Sequence, residues 1–397
     1  WRGGDSNLDA DHFTLFRDRV ASALDRQPSL RGQWAREAEA TLRIDEVRAE
    51  RRPQVTIGLE QRNSLSSANR DAFDSGSRVD AVASVSQLLY DFGASGQRLA
   101  AARLSADAQR WQSQALAEKV VMDAVTAHYD VIRFVAQLAL AADNVEQHQR
   151  ILDDVATRAA GGAGSRADVL RAQSRLAEAR TQFVNLQGQQ ARARNAYFEV
   201  YFTYPDALGM PALPELPTDN VESALAMAQH VDAELNRSLR EGEAVEAQAL
   251  ATRRSQFPRL SLNLEGRQFD IDQPAETESN VALLIQVDYA PYSGGATTSR
   301  IAQAERRVEQ AAFEREALQR ELETRLRTAF TDLASRRDSL KAQSQALTAD
   351  QQALEAYRAQ FAIGRRSLTD LLDAQRDLFQ SARGLVDTRI EWELARF

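Results

Sequence analysis

Apolar and polar positions along this chain switch between a helical and a strand period, and they do so twice in the same order. From about Leu8 to Arg52 the pattern is helical, with a break near Pro28 and an end at Arg51-Arg52-Pro53. Val55, Ile57 and Leu59 then alternate with Thr56, Gly58 and Glu60. After a polar segment, Val79, Ala81, Ala83 and Val85 alternate with Asp80, Val82, Ser84 and Ser86. A period of two on either side of a polar loop predicts a β-hairpin over 54–90. Residues 95–158 contain no proline and are dense in Ala, Leu, Gln, Arg and Glu. They predict one helix on the order of 90 Å long, far more than a globular core needs. A tip at 160–165 turns the chain, and a return helix runs to about Tyr201.

The Pro-rich stretch 204–219 separates this plan from its repetition. A helix from about Val221 to Gln256 leads to Leu260, Leu262 and Leu264, which alternate with Ser261, Asn263 and Glu265. Val281, Leu283, Ile285 and Val287 alternate in the same way, so 259–291 predicts a second hairpin. A long helix over 299–363, a tip at 364–367 and a return helix follow. At an offset of 202 positions, Gly162 answers to Gly364, Ser165 to Ser367, Asp168 to Asp370, and Tyr90 to Tyr292. The chain therefore reads as two structural repeats, 1–203 and 220–397. Ser367 is an expected N-cap with Asp370 in capping-box position, and Gly364 is an expected helix stop. Leu326, Leu333, Leu340, Leu347, Leu354 and Phe361 form a strict heptad, which predicts a left-handed supercoil. With Ala329, Arg337, Ser344 and Gln351 at the intervening places, the apolar stripe is thin. Such a helix suits a wall with water on both sides.

Composition narrows the function classes. The net charge is −8 and the chain lacks cysteine, which argues against a general nucleic-acid surface and excludes thiolate chemistry. His12, His128, His148 and His230 share no metal-ligand spacing and read as surface or seam residues. There is no phosphate loop, triad or metal cluster, so neither an enzyme nor a cofactor is expected. No apolar run approaches the roughly 18–20 residues of a membrane helix. Trp1 is not an initiator, so a removed leader or longer N-terminus is expected, although an artificial boundary would look the same. From period alone, the strands suit either soluble hairpins packed on the helices or a membrane barrel. In a barrel, Leu260, Leu262, Leu264, Val281, Leu283 and Ile285 would face lipid. Four strands cannot close a barrel of useful bore, so that reading also requires an oligomer.

The segments Arg52-Pro-Gln54, Phe257-Pro258, Gln87-Leu-Leu-Tyr-Asp-Phe-Gly93, Asp168-Val-Leu-Arg-Ala-Gln173 and Gly364 through Gln375 occur in this order within a doubled plan. In this the chain resembles the TolC family of outer-membrane channel proteins. The resemblance implies a mainly α fold with a membrane β-barrel. A homotrimer would form a twelve-stranded barrel in the outer membrane of a Gram-negative bacterium, and a coiled-coil tunnel of helical hairpins would cross the periplasm. The tunnel would meet a periplasmic adaptor (membrane fusion) protein and an inner-membrane ABC transporter or other pump.

The resemblance also implies site residues. Asp370 and Asp373 would ring the periplasmic entrance; by themselves they read as a capping and a solvated carboxylate. Arg366, Asp168 and Phe361 would form a gate latch, although Phe361 stands where the family has a tyrosine and Ala167 where it has a hydroxyl residue. Gly162, Ala163, Gly164, Gly364 and Arg365 would be adaptor-contact tips, or simply tight turns. By their position near the strand ends, Phe73, Tyr90, Phe92, Phe269, Tyr289 and Tyr292 would supply the interfacial belt of a barrel, or singly be ordinary packing. The expected function is the exit duct of type I protein secretion, with small-molecule or drug efflux as the alternative. A soluble coiled-coil scaffold is the competitor from another class.

Overall fold

A computed structural model of the chain describes residues 6–63, 77–211, 216, 218–269, 271–272 and 278–397. Phe73 and part of the Pro-rich stretch lie outside the described residues. Helix α1 (Ser6–Arg26) gives way at Gln27 to α2 (Pro28–Ala49), where Pro28 takes the first helical position that its ring favours. Strands β1 (Gln54–Asn63) and β2 (Ser77–Tyr90) lead to α3 (Ala94–Ala160) and the return helix α4 (Arg166–Tyr201). The second half contains α5 (Val221–Val231), α6 (Ala233–Arg254), β3 (Arg259–Gln268), β4 (Ser279–Asp288), α7 (Ala296–Ala362) and α8 (Leu368–Leu394). Helices α3 and α7 are both 67 residues long, and both their ends are 202 positions apart. The single helix expected from Val221 to Gln256 is two. Asp232 caps α6 by accepting the Leu235 N–H at 2.8 Å, and so ends α5.

The chain forms two compact units that cut across the two halves. One comprises the stretch up to Arg31, Ala115–Ala228 and Glu321–Phe397. Its main core joins Phe16 and Val20 of α1, Val125 and Tyr129 of α3, Tyr197 and Tyr201 of α4, and Ile390 of α8. Tyr201 donates to the Ala124 carbonyl at 2.9 Å and stacks on Tyr197 with ring centroids 4.2 Å apart. His128 and His148 are both buried. His128 packs its ring 4.7 Å from Phe16 and places Nε2 3.1 Å from the Gly209 carbonyl, pinning the segment after α4. Burial lowers the His128 pKa to about 4, so the ring is neutral at pH 7.

The seam of α7 differs in detail from its expected form. The half-buried positions between the heptad leucines are Arg336, Gln343, Asp350 and Tyr357, whereas Ala329, Arg337, Ser344 and Gln351 are exposed. From Leu333 onward the partner position thus lies three residues after the leucine rather than four, whereas after Leu326 it is the half-buried Phe330, four residues on rather than three. The later partner positions are largely polar because they bond to α8. Arg336 meets Glu391 at 2.7 Å, Gln343 donates to the Ser381 carbonyl at 3.0 Å, and Asp350 accepts from the Ser381 hydroxyl.

The other unit comprises Gly32–Gln114 and Gln229–Arg320 and contains all four strands. They form one antiparallel sheet in the order β1-β2-β3-β4 rather than two separate hairpins. Strands β2 and β3 join the two halves from Ala81↔Gln268 to Tyr90↔Leu260, with an irregularity between Leu88 and Tyr90. The register aligns Val55, Val85, Leu264 and Leu283 in one row across the whole sheet. Because side chains alternate faces, Leu260, Leu262, Val281, Ile285 and Val287 share that apolar face. Gln54, Ser86, Asn263 and Leu284 form a row on the opposite face. There Arg267 reaches Glu60 at 2.9 Å, Glu265 at 3.2 Å and Asp80 at 3.6 Å, tying three strands together.

Candidate functional site

The two hairpin tips are built by the same backbone device. Gly162 and Gly364 have φ of +79° and +73°, a left-handed conformation that glycine adopts without a Cβ penalty. The Ala163 N–H reaches the Arg158 carbonyl at 2.9 Å, and the Arg365 N–H reaches the Gln360 carbonyl at 2.9 Å. These bonds close α3 and α7 with Schellman turns. Ser165 and Ser367 then cap α4 and α8 by accepting the N–H groups of Asp168 and Asp370 at 3.1 and 3.2 Å. Ser367, through its hydroxyl and its backbone N–H, and the nearby Arg366 hold the Asp370 carboxyl below the usual carboxylate range.

Between the tips lies a second core. Ile151 and Val155 of α3 pack with Leu354 of α7 and with Leu368, Leu371 and Leu372 of α8. Val169, Tyr357 and Phe361 pack against it. Its rim is a set of arginine contacts. Arg158 donates to the carbonyls of Phe361 and Ala362 at 3.1 and 3.5 Å, with its guanidinium 4.6 Å from the centre of the Phe361 ring. Arg171 bonds the Thr369 hydroxyl. Asp373 sits 3.6 Å from Arg175 of α4 and 3.3 Å from Arg376 of α8. Deeper along the hairpins, Gln375 donates to Asn144 at 3.2 Å.

The expected site residues therefore gather at one end of the two hairpins, but with different partners. Arg366 bonds Gln360 at 3.0 Å, lies 3.5 Å from Asp370, and stacks 4.4 Å from the Tyr357 ring centre. All three partners belong to its own hairpin. Among the described residues Asp168 makes no ion pair within the chain. Among the ties between the hairpins is Arg158, a residue that sequence reasoning missed. Its counterpart at an offset of 202 is Gln360, so the duplication pointed away from it. Gly162, Ala163, Gly164, Gly364 and Arg365 are all exposed on the turns.

On the apolar face of the sheet, Val55, Ile57, Leu59, Val281, Leu283, Ile285 and Val287 are between 62% and 82% exposed. Among the described residues nothing covers them. Tyr90 and Phe92 lie with ring centroids 4.9 Å apart, and Phe92 lies 5.3 Å from Phe257. With the exposed Tyr289 and Tyr292, they cluster in sequence where strands meet the helical segments, an aromatic concentration to which Phe257 was not expected to belong. Phe269 instead lies by Arg267 beyond the other end of β3, 5.9 Å from its guanidinium. Among the described residues no group of acidic and histidine side chains could hold a metal ion.

The sequence matches the model of the outer membrane efflux protein family over residues 20–198 and 225–396. It is 25% identical over 320 residues to the outer membrane efflux protein BepC of Brucella suis, covering 79% of this chain and 69% of BepC. It is 28% identical over 177 residues to protein CyaE of Bordetella pertussis, covering 44% of this chain and 37% of CyaE. The fold is similar to that of the outer-membrane channel OprN, with a TM-score of 0.82 at 20% identity, over 100% of this chain and 91% of OprN.

Proposed function

The chain belongs to the outer membrane efflux protein family, and from that premise we propose that it is the outer-membrane exit duct of an export system, acting as a homotrimer. Three four-stranded sheets would close a twelve-stranded barrel, with the helical hairpins continuing as a tunnel. The observation that carries this reading is the uncovered apolar face of the sheet. Its seven most exposed aliphatic side chains would each gain roughly 1.5–3 kcal/mol on burial, on the order of 10–20 kcal/mol together. Lipid supplies that burial, and strands of about ten residues have the length to span it. Strands β1 and β4 are the two edges of the sheet; pairing them with neighbouring copies would satisfy backbone groups that lipid cannot. A soluble scaffold would leave both the face and the edges in water.

Asp370 and Asp373 would then stand at the periplasmic entrance, and the exposed turns Gly162, Ala163, Gly164, Gly364 and Arg365 would meet a periplasmic adaptor working with an inner-membrane pump. Within one chain Arg158 and Phe361 close the hairpins on each other. An Arg366–Asp168 link would form between neighbouring copies. Efflux of solutes is the reading that the family's description and BepC's name support. The narrower type I protein-secretion reading has no observation of its own in the fold. No bond-making chemistry belongs to this function.

A pair of variants on adjacent residues tests the barrel. Leu283→Arg puts a charge on the apolar face and should weaken membrane insertion by about 2–4 kcal/mol at mid-bilayer. Leu284→Arg puts the same charge on the opposite face and should insert like the wild type. Equal recovery of both variants from the outer-membrane fraction would contradict the proposal.

A further inference from the structure

Residues 153–178 hold four carboxylates and four arginines, and their counterparts 355–380 hold four and four again. The tips are therefore neutral in a chain whose net charge is −8. Their charges are also brought together. Asp373 lies between Arg175 and Arg376, at 3.6 and 3.3 Å. Arg175 continues to Glu178 at 2.9 Å, and Arg376 to Asp377 at 3.1 Å. Asp370 has Arg366 at 3.5 Å, and Arg171 is bonded to the adjacent Thr369.

We propose that Arg175 and Arg376 set the ion selectivity of the entrance by neutralising Asp373, so that the mouth neither prefers cations strongly nor retains multivalent ones. The inference deepens the reading of the protein as an exit duct and rests on it. A lone carboxylate attracts cations across about one Debye length, ~8–10 Å at physiological salt. With a guanidinium within 4 Å on each side, the fields of Asp373 and its partners largely cancel over that range. A trivalent cation approaching Asp373 must also approach two fixed positive charges, whose repulsion offsets the attraction. The groups are about one-third to two-fifths exposed, and ion pairs at such exposure contribute little to stability. Their main consequence is the field at the mouth. Three copies around one axis would repeat the arrangement three times, leaving six guanidiniums interleaved with the Asp373 carboxylates.

The test is the reversal potential of single channels in planar bilayers across a potassium chloride gradient, followed by hexaamminecobalt(III) added on the tip side. The wild type should reverse near zero and keep its current when the trivalent cation is added. Arg175→Gln with Arg376→Gln should move the reversal potential toward the potassium equilibrium value and lose most of its current to the trivalent cation. Adding Asp373→Asn to that pair should return both readouts toward the wild type. Arg376→Gln alone breaks no contact between the hairpins and should give an intermediate shift, even where the double variant assembles poorly. A wild type already as selective and as strongly blocked as the double variant overturns the inference, as does a reversal potential unmoved in Arg376→Gln. Absence of any channel current from the wild type would overturn the exit-duct reading and this inference together, an outcome distinct from a channel with unaltered selectivity.

Discussion

Leu371 and Leu372 at the hairpin tips are buried by residues of their own chain. Leu283 and Ile285, on an equally apolar face of the sheet, are covered by none of the described residues. The polar groups follow the same division. At the tips the turn amides, the cap hydroxyls and the carboxylates Asp370 and Asp373 all find partners within one chain. On the sheet, Arg267 pairs with three carboxylates on the polar face, while the two edge strands present their outer backbone groups to no other described strand. The apolar core of the tips is thus closed within a single copy. In the proposed assembly, lipid and further copies supply what the sheet lacks.

The most damaging change expected at the tips sharpens this contrast, and the duplication provides its own control. Leu372 is buried, but its counterpart Leu170 is 57% exposed. Leu372→Ala should cost about 2–5 kcal/mol, the range for a buried leucine. Leu170→Ala should stay within about 0.5 kcal/mol. Denaturant unfolding of the detergent-solubilised protein measures both. Comparable costs would mean that the tip core is not closed within the chain as described.

A smaller effect is expected from pH, in the core around α1. The His128 pKa falls from 6.5 unfolded to about 4 folded, chiefly through burial. Folding therefore disfavours the proton. The stability held above pH 6.5 should fall progressively as pH drops toward 4, by at most about 3 kcal/mol from this group. His148 is lowered in the same direction, also by burial first, so the two histidines add to one slope. His128→Phe should flatten that slope between pH 4 and 6.5 and loosen the segment held through Gly209. Thermal midpoints across this range check it; a slope unchanged from the wild type would place the titrating groups elsewhere.

Much of this was legible in the sequence because the signals are local. Alternation marks every strand, and a glycine followed by a capping serine marks each tip. The pairing of β2 with β3 was not legible, because Val85 and Leu264 are neighbours in space with no local signal linking them. Nor does repetition predict burial. Val125 and Tyr129 of α3 are buried, whereas their counterparts Arg327 and Thr331 on α7 are exposed, so helices of identical length have different surroundings. The contact at Arg158 was missed because its counterpart is Gln360. The arginines flanking Asp373 did leave a signal, the equal count of acids and arginines in the tip windows.

The central claim, that the sheet is completed by other copies within a membrane, is tested most directly by the mass of the detergent-solubilised protein, measured by native mass spectrometry. The account predicts three chains in a particle that aggregates when detergent is withdrawn. A monomer that stays dispersed and folded in plain buffer would contradict it.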